Sequence, residues 1–224
     1  MDVEFEDIVR WNITIDETNI RTVMGGLRKL KPTKSRKDMD TLSQILGKHQ
    51  ALEEEEECKF HMLVLSKLYR CKGRKCARII MDFLAKVQWQ TDSFNPNVYV
   101  VGTCDEALEK AVKIATKLKA PGLSEYLRKW LHANQYEYYR SESDVGGWAA
   151  WKLVKLEGRK ALKSLLPYVI RTSNRGFDTG AEINYSVVEA IASLGQRAIN
   201  EMTKKLPKQQ RSEVLRYIRR MRKS

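Results

Sequence analysis

The sequence predicts an all-α fold built from tandem helical hairpins, and three observations carry that expectation. Apolar residues recur at i, i+3, i+4 and i+7 over most of the chain, the spacing of helices that bury one face and leave the other wet. Strand-like alternation is brief, at Trp11 to Ile15 and Val98 to Val101, and both stretches read as extended linkers. Glycines recur between successive helical stripes, at Gly73, Gly122, Gly158 and Gly195, so the intervals are 49, 36 and 37 residues. A period of that length, made of helix, glycine turn and helix, is the signature of a helical repeat array.

The elements follow in order. Residues 1–20 hold six acids and one base and read as a cap on the array. Residues 21–50 hold eight bases and two acids and read as one or two helices broken around Lys31-Pro32-Thr33-Lys34-Ser35. Glu53 to Glu57 places negative charge at the start of an apolar helix, where the exposed backbone N–H groups favour it. The stripe Cys76, Ile79, Ile80, Phe83, Leu84 and Val87 marks the helix after Gly73, and Ala107, Leu108, Ala111, Val112, Ala115 and Leu118 mark the next first helix. Between them the polar stretch 88–102, with Asn95-Pro96-Asn97, accounts for the longer interval. Leu162, Leu165, Leu166, Val169 and Ile170 form a second helix that Pro167 should kink. Val187, Val188, Ile191 and Leu194 form the last first helix, and a terminal helix starts at Pro207. The expected organisation is an irregular N-terminal cap and basic segment over 1–50 and an array over 51–224. Its repeats fall near 51–88, 103–133, 144–170 and 183–206, followed by a terminal helix over 207–224.

The wording of the repeats resembles the HEAT-like family, particularly its short bacterial and archaeal form. Asp144-Val145-Gly-Gly-Trp148-Ala149-Ala150 through Leu156-Glu-Gly158-Arg-Lys-Ala161 matches its pattern of an Asp-Val start, small residues in the first helix, a glycine turn and alanine in the second helix. Val187-Val-Glu-Ala190 through Leu194-Gly195-Gln-Arg-Ala198 matches as well. The resemblance covers about two thirds of the chain and is concentrated in the last eighty residues. It implies a right-handed α-solenoid, whose second helices line a concave face. It specifies a fold and no activity.

Composition narrows the function. The 224 residues are 42% hydrophobic, enough to build a core, and carry a net charge of +13. The longest apolar runs, such as Met62 to Leu65, are far shorter than the ~20 residues of a membrane-spanning helix. The acidic start Met1 to Asp7 has no apolar leader, so a cytoplasmic protein is expected, without membrane contact. Four cysteines are too few for a disulfide scaffold, so free thiols are expected, and the glycosylation sequons at Asn12 and Asn184 carry no weight. Cys58, His61, Cys71 and Cys76 offer four zinc-type ligands within nineteen residues. Against zinc, Cys58 and His61 fall in one helix and Cys76 falls on an apolar stripe, so no metal and no other cofactor is assigned.

The charge is concentrated. From Lys204 to Ser224 nine bases stand against one acid, Glu213. The second helices add bases just after their glycines. The candidate nucleic-acid-binding residues are therefore Arg74, Lys75, Arg78, Arg128, Lys129, Arg159, Lys160, Lys163, Arg197, Lys204, Lys205, Arg216, Arg219 and Arg220. Repeated cations along a groove suit the repeated phosphates of a nucleic acid, DNA ahead of RNA, and an arginine fork holds phosphate oxygens in pairs. An acidic protein partner is the alternative occupant. Tyr136, Tyr138 and Tyr139 are candidate base-stacking residues or loop packing; Trp148 reads as core and Trp151 as able to face outward. Catalysis finds little support. His49, His61 and His132 sit in no nucleophile motif, no phosphate-binding Walker loop occurs, and Asp178 is an isolated carboxylate. In length, helicity and charge the chain also resembles HEAT-like DNA glycosylases, an alternative that would make it a base-excision enzyme, for which no catalytic residue is assigned.

Overall fold

The computed structural model describes residues 14–32, 35–46, 54–86, 89–92, 95–101, 105–133, 145–175 and 178–223. Helices dominate the chain, as the periodicity predicts. They are α1 (Ile20–Lys29), α2 (Arg36–Leu46), α3 (Glu54–Cys71), α4 (Gly73–Lys86), α5 (Asp105–Lys117), α6 (Leu123–Ala133), α7 (Val145–Glu157), α8 (Leu162–Leu165), α9 (Tyr185–Ala192), α10 (Gln196–Lys205) and α11 (Lys208–Met221). Two short two-stranded sheets interrupt them: β1 (Trp89–Asp92) with β2 (Asn95–Val101), and β3 (Ile170–Arg175) with β4 (Asp178–Ile183). The second is an antiparallel hairpin in which Ile170 pairs with Ile183 and Arg175 with Asp178. Neither hairpin was expected; the alternation at Val98 to Val101 belongs to β2 rather than to a linker.

The chain divides into two compact units, Met1–Trp89 with Val101–Leu123, and Gln90–Val100 with Ser124–Ser224. The first holds α1 to α5. Its core joins the stripes read for α4 (Ile80 and Leu84) and α5 (Ala111, Val112 and Ala115) to Ile20, Val23 and Leu27 of α1, Leu42 and Ile45 of α2, and Phe60, Val64, Leu65 and Leu68 of α3. The break between α1 and α2 falls around Lys31 and Pro32, where the sequence places it. A buried cation closes α1. Lys67 of α3 is 5% exposed, and its Nζ donates to the carbonyls of Arg28 and Leu30 at 3.0 and 2.6 Å. Those carbonyls have no helical partner, because α1 ends there.

The second unit is built on α7, α9, α10 and α11. The small residues Ala149 and Ala150 of α7 and Ala190 of α9 are fully buried, which suits the close packing of α7 on α9. Val187, Val188 and Ile191 of α9, Ala198, Ile199 and Met202 of α10, and Val214 and Ile218 of α11 complete the core. Trp130 of α6 is buried and meets the half-buried Trp148 of α7 edge-on, with ring centroids 5.8 Å apart. Trp151 is half-buried too. Pro167 does more than kink its helix. Residues 158–168 run as a 3-10 turn, the four-residue α8 and a second 3-10 turn that contains the proline. Proline lacks the N–H that an α-helix needs, and the tighter turn absorbs that loss.

All four periodic glycines have positive φ: Gly73 at 89°, Gly122 at 84°, Gly158 at 58° and Gly195 at 94°. Their role differs in detail from the expected C-terminal cap. After α5 the left-handed residue is Lys119, with φ 50°, and Ala120 N–H bonds to Ala115 while Lys119 N–H bonds to Thr116, the Schellman pattern. Gly195 instead starts α10, and its carbonyl accepts from the N–H groups of Ala198 and Ile199.

Candidate nucleic-acid interface

The predicted cations fall in both units. In the first, Arg74 and Arg78 of α4 are exposed, whereas Lys75 is ion-paired with Asp40 of α2. In the second, Lys129, Lys160, Lys163, Arg197, Lys204, Lys205, Arg216, Arg219 and Arg220 are exposed. Arg128 is not a free surface charge. Its guanidinium meets Glu157 at 2.5 Å and Ser164 at 2.9 Å, so it ties α6 to the end of α7 and to α8. Arg159 lies 3.7 Å from Glu201, which sets the turn after α7 beside α10.

The exposed charge of the second unit is densest on α10 and α11. Their buried stripes, Ala198, Ile199 and Met202 and then Val214 and Ile218, turn the remaining positions to water. Eight of the remaining positions are lysine or arginine and two are glutamate. The cations nearest the end of α10, Lys204 and Lys205, precede a sharp turn in which Arg211 donates to the carbonyl of Leu206 at 3.2 Å.

One depression interrupts this surface. It encloses about 430 Å³ and is lined by Tyr185, Glu213, Arg216, Tyr217 and Arg220, with Gln209 and Ser212 at its side. Positions 209, 213, 216 and 220 lie on one face of α11, at helical spacing. Tyr185 is the first residue of α9, which the side chain of Asn184 caps by accepting from Val187 N–H. Tyr185 is 37% exposed, the one large hydrophobic side chain exposed among the described residues. Its hydroxyl donates to Glu213 at 2.5 Å, its ring lies 4.4 Å from that of Tyr217 at 44°, and the Tyr217 hydroxyl donates to Glu189. Both phenols are therefore held protonated. Donation to Glu213 raises the pKa of Tyr185, and donation to Glu189 pushes that of Tyr217 up to about 12.

Sequence reasoning missed this pair and also missed a second basic surface in the first unit. There a cavity of about 780 Å³ between α3 and α5 is lined by Tyr69, Arg70, Lys110, Lys113 and Lys117, together with Glu106 and Glu109. Lys110 donates to Ser66, Lys117 sits over the Tyr69 ring at 5.2 Å, and burial beside Lys113 lowers the pKa of Lys110. The signal was present as lysines at positions 110, 113 and 117, one helical face, but on first helices rather than second ones.

Other candidates resolve as follows. Tyr136, Tyr138, Tyr139 and His49 lie outside the described residues. The start of α3 carries an ion pair from Glu55 to Lys59, and Glu57 lies 3.9 Å from His61, consistent with a charged helix start. His61 itself is buried between the rings of Phe60 and Phe83. The zinc quartet does not assemble. Cys71 and Cys76 are buried thiols donating to the carbonyls of Lys67 and Leu68, and burial raises both pKa values, that of Cys76 to about 11. Among the described residues no group of three or more metal-binding side chains occurs. Cys58 is disulfide-bonded, which corrects the expectation of free thiols throughout. Among the described residues no helix is long and apolar enough to cross a membrane. No protein-family model, no curated protein and no solved structure matches the chain.

Proposed function

We propose that this protein binds nucleic acid through the phosphate backbone, with the exposed cations of α10 and α11 as the principal contact, and that its helical pairs are the hairpins of a HEAT-like solenoid. The observation that carries the binding reading is the surface of the second unit. Arg197, Lys204, Lys205, Arg216, Arg219 and Arg220 stand exposed on two consecutive helices, and Glu213 among them accepts a hydrogen bond from Tyr185. Phosphates neutralised by such a surface release condensed counterions, and that release supplies sequence-independent affinity. The repeat reading is supported by four glycines of positive φ, each standing between successive helical segments.

Arg128, Lys75 and Arg159 are excluded from the contact set, because each already has a carboxylate partner in the fold. The experiment is a fluorescence-anisotropy titration of labelled duplex DNA, single-stranded DNA and single-stranded RNA at low salt. Replacing Arg216, Arg219 and Arg220 together by glutamate is expected to weaken binding to every sequence tested. Absence of binding to all three probes by the unaltered chain overturns the reading.

A further inference from the structure

We propose that the depression at the start of α9 is a nucleobase-stacking subsite, in which Tyr185 offers its ring face to an unpaired base while Arg216 and Arg220 hold the flanking phosphates. The proposal rests on the nucleic-acid reading and adds a preference for single-stranded over duplex ligand. The physical case begins with exposure. A large aromatic ring left on the surface of a soluble unit forgoes burial that its neighbours obtain, and here it does so beside two arginines. The ring is also pre-set. The hydroxyl bond to Glu213 and the packing on Tyr217 fix it from two sides, so a base stacking on it loses little side-chain freedom. Tyr217 is fixed in turn by Glu189, which makes the platform a network rather than a lone side chain. Stacking is indifferent to base identity, and it requires a base that is not paired inside a duplex. Gln209 and Ser212 line the same depression and carry donors and acceptors that a base edge could use. The cavity of about 430 Å³ accommodates one nucleobase with its sugar.

The test uses the full chain and labelled oligonucleotides of one length, single-stranded and duplex. Tyr185→Leu is expected to weaken single-strand binding about 5- to 100-fold, the span of one base stack, and to leave duplex binding within about twofold. Tyr185→Phe keeps the ring, loses the Glu213 bond, and is expected to retain most of the single-strand affinity. A second readout needs no variant. Photocrosslinking of the unaltered protein to a single strand carrying 5-iodouracil, followed by peptide mass spectrometry, is expected to place the crosslink on Tyr185. Equal loss on both ligands with Tyr185→Leu, or crosslinks that avoid Tyr185, overturns the stacking site. If those results appear while the Arg216, Arg219 and Arg220 reversal still weakens all ligands, the phosphate reading stands and only the stacking falls.

Discussion

Gly195 illustrates how a single residue type carries information that apolar spacing does not. At φ 94° and ψ 178° it occupies a region essentially reserved for glycine, and its carbonyl opens α10. A Cβ there would meet no neighbouring atom, so the cost of substitution is conformational rather than steric. Gly195→Ala is expected to lower stability by about 1–3 kcal/mol, read by chemical denaturation. Lys67 makes the opposite case, a residue whose role no sequence pattern revealed. It looks like a surface lysine among other charges, yet its amine satisfies the last carbonyls of α1. Lys67→Met keeps the stem and leaves those carbonyls unmet, at an expected cost of about 1–3 kcal/mol. Tyr217 gives a pH signature. Folding raises its pKa from 10 to about 12, so the native state holds that proton more tightly than the unfolded chain. The stabilisation from its bond to Glu189 is fully present below pH 10 and is lost as pH rises through 12. Tyr217→Phe is expected to flatten that part of the stability profile, measured as the difference between the two proteins.

At the scale of elements, the helices were legible because each buries one stripe. The stripe of α4 read from sequence, Cys76 to Leu84, is buried as expected, and so is that of α9 from Val187 to Ile191. The breaks between helices were legible because the turn glycines repeat. What could not be read were the elements without a periodic apolar signature. The hairpin of β3 and β4 runs through Arg171-Thr-Ser-Asn174 and Asp178-Thr-Gly180, polar stretches that read as loop. Pairing there is set by register between two segments, which neither segment shows alone. The breakdown of the helix around Pro167 was legible as a position and not as a 3-10 conformation. Interhelix partners were hidden for the same reason. Arg128 looked like one of a row of cations, and only the fold brings Glu157 and Ser164 to it. Arg128→Ala is expected to cost about 1–2 kcal/mol of stability while leaving nucleic-acid affinity within about twofold, which denaturation and anisotropy on the same protein would separate.

For the whole molecule the governing quantity is a net charge of +13 and where its exposed members stand. The basic surface was legible as a composition, since nine bases crowd the last twenty-one residues. Its aromatic centre was not, because Tyr185 and Tyr217 lie 32 positions apart and meet only when α9 packs near α11. The most direct measurement of the central claim is the salt dependence of nucleic-acid affinity, with and without Arg216, Arg219 and Arg220. For a phosphate-binding surface log K falls linearly with log salt, by about 0.7 to 0.9 for each phosphate neutralised. The account predicts a steep line for the unaltered protein and a line shallower by about 2 to 3 for the triple alanine variant. Two parallel lines, or an affinity that does not change with salt, would contradict it.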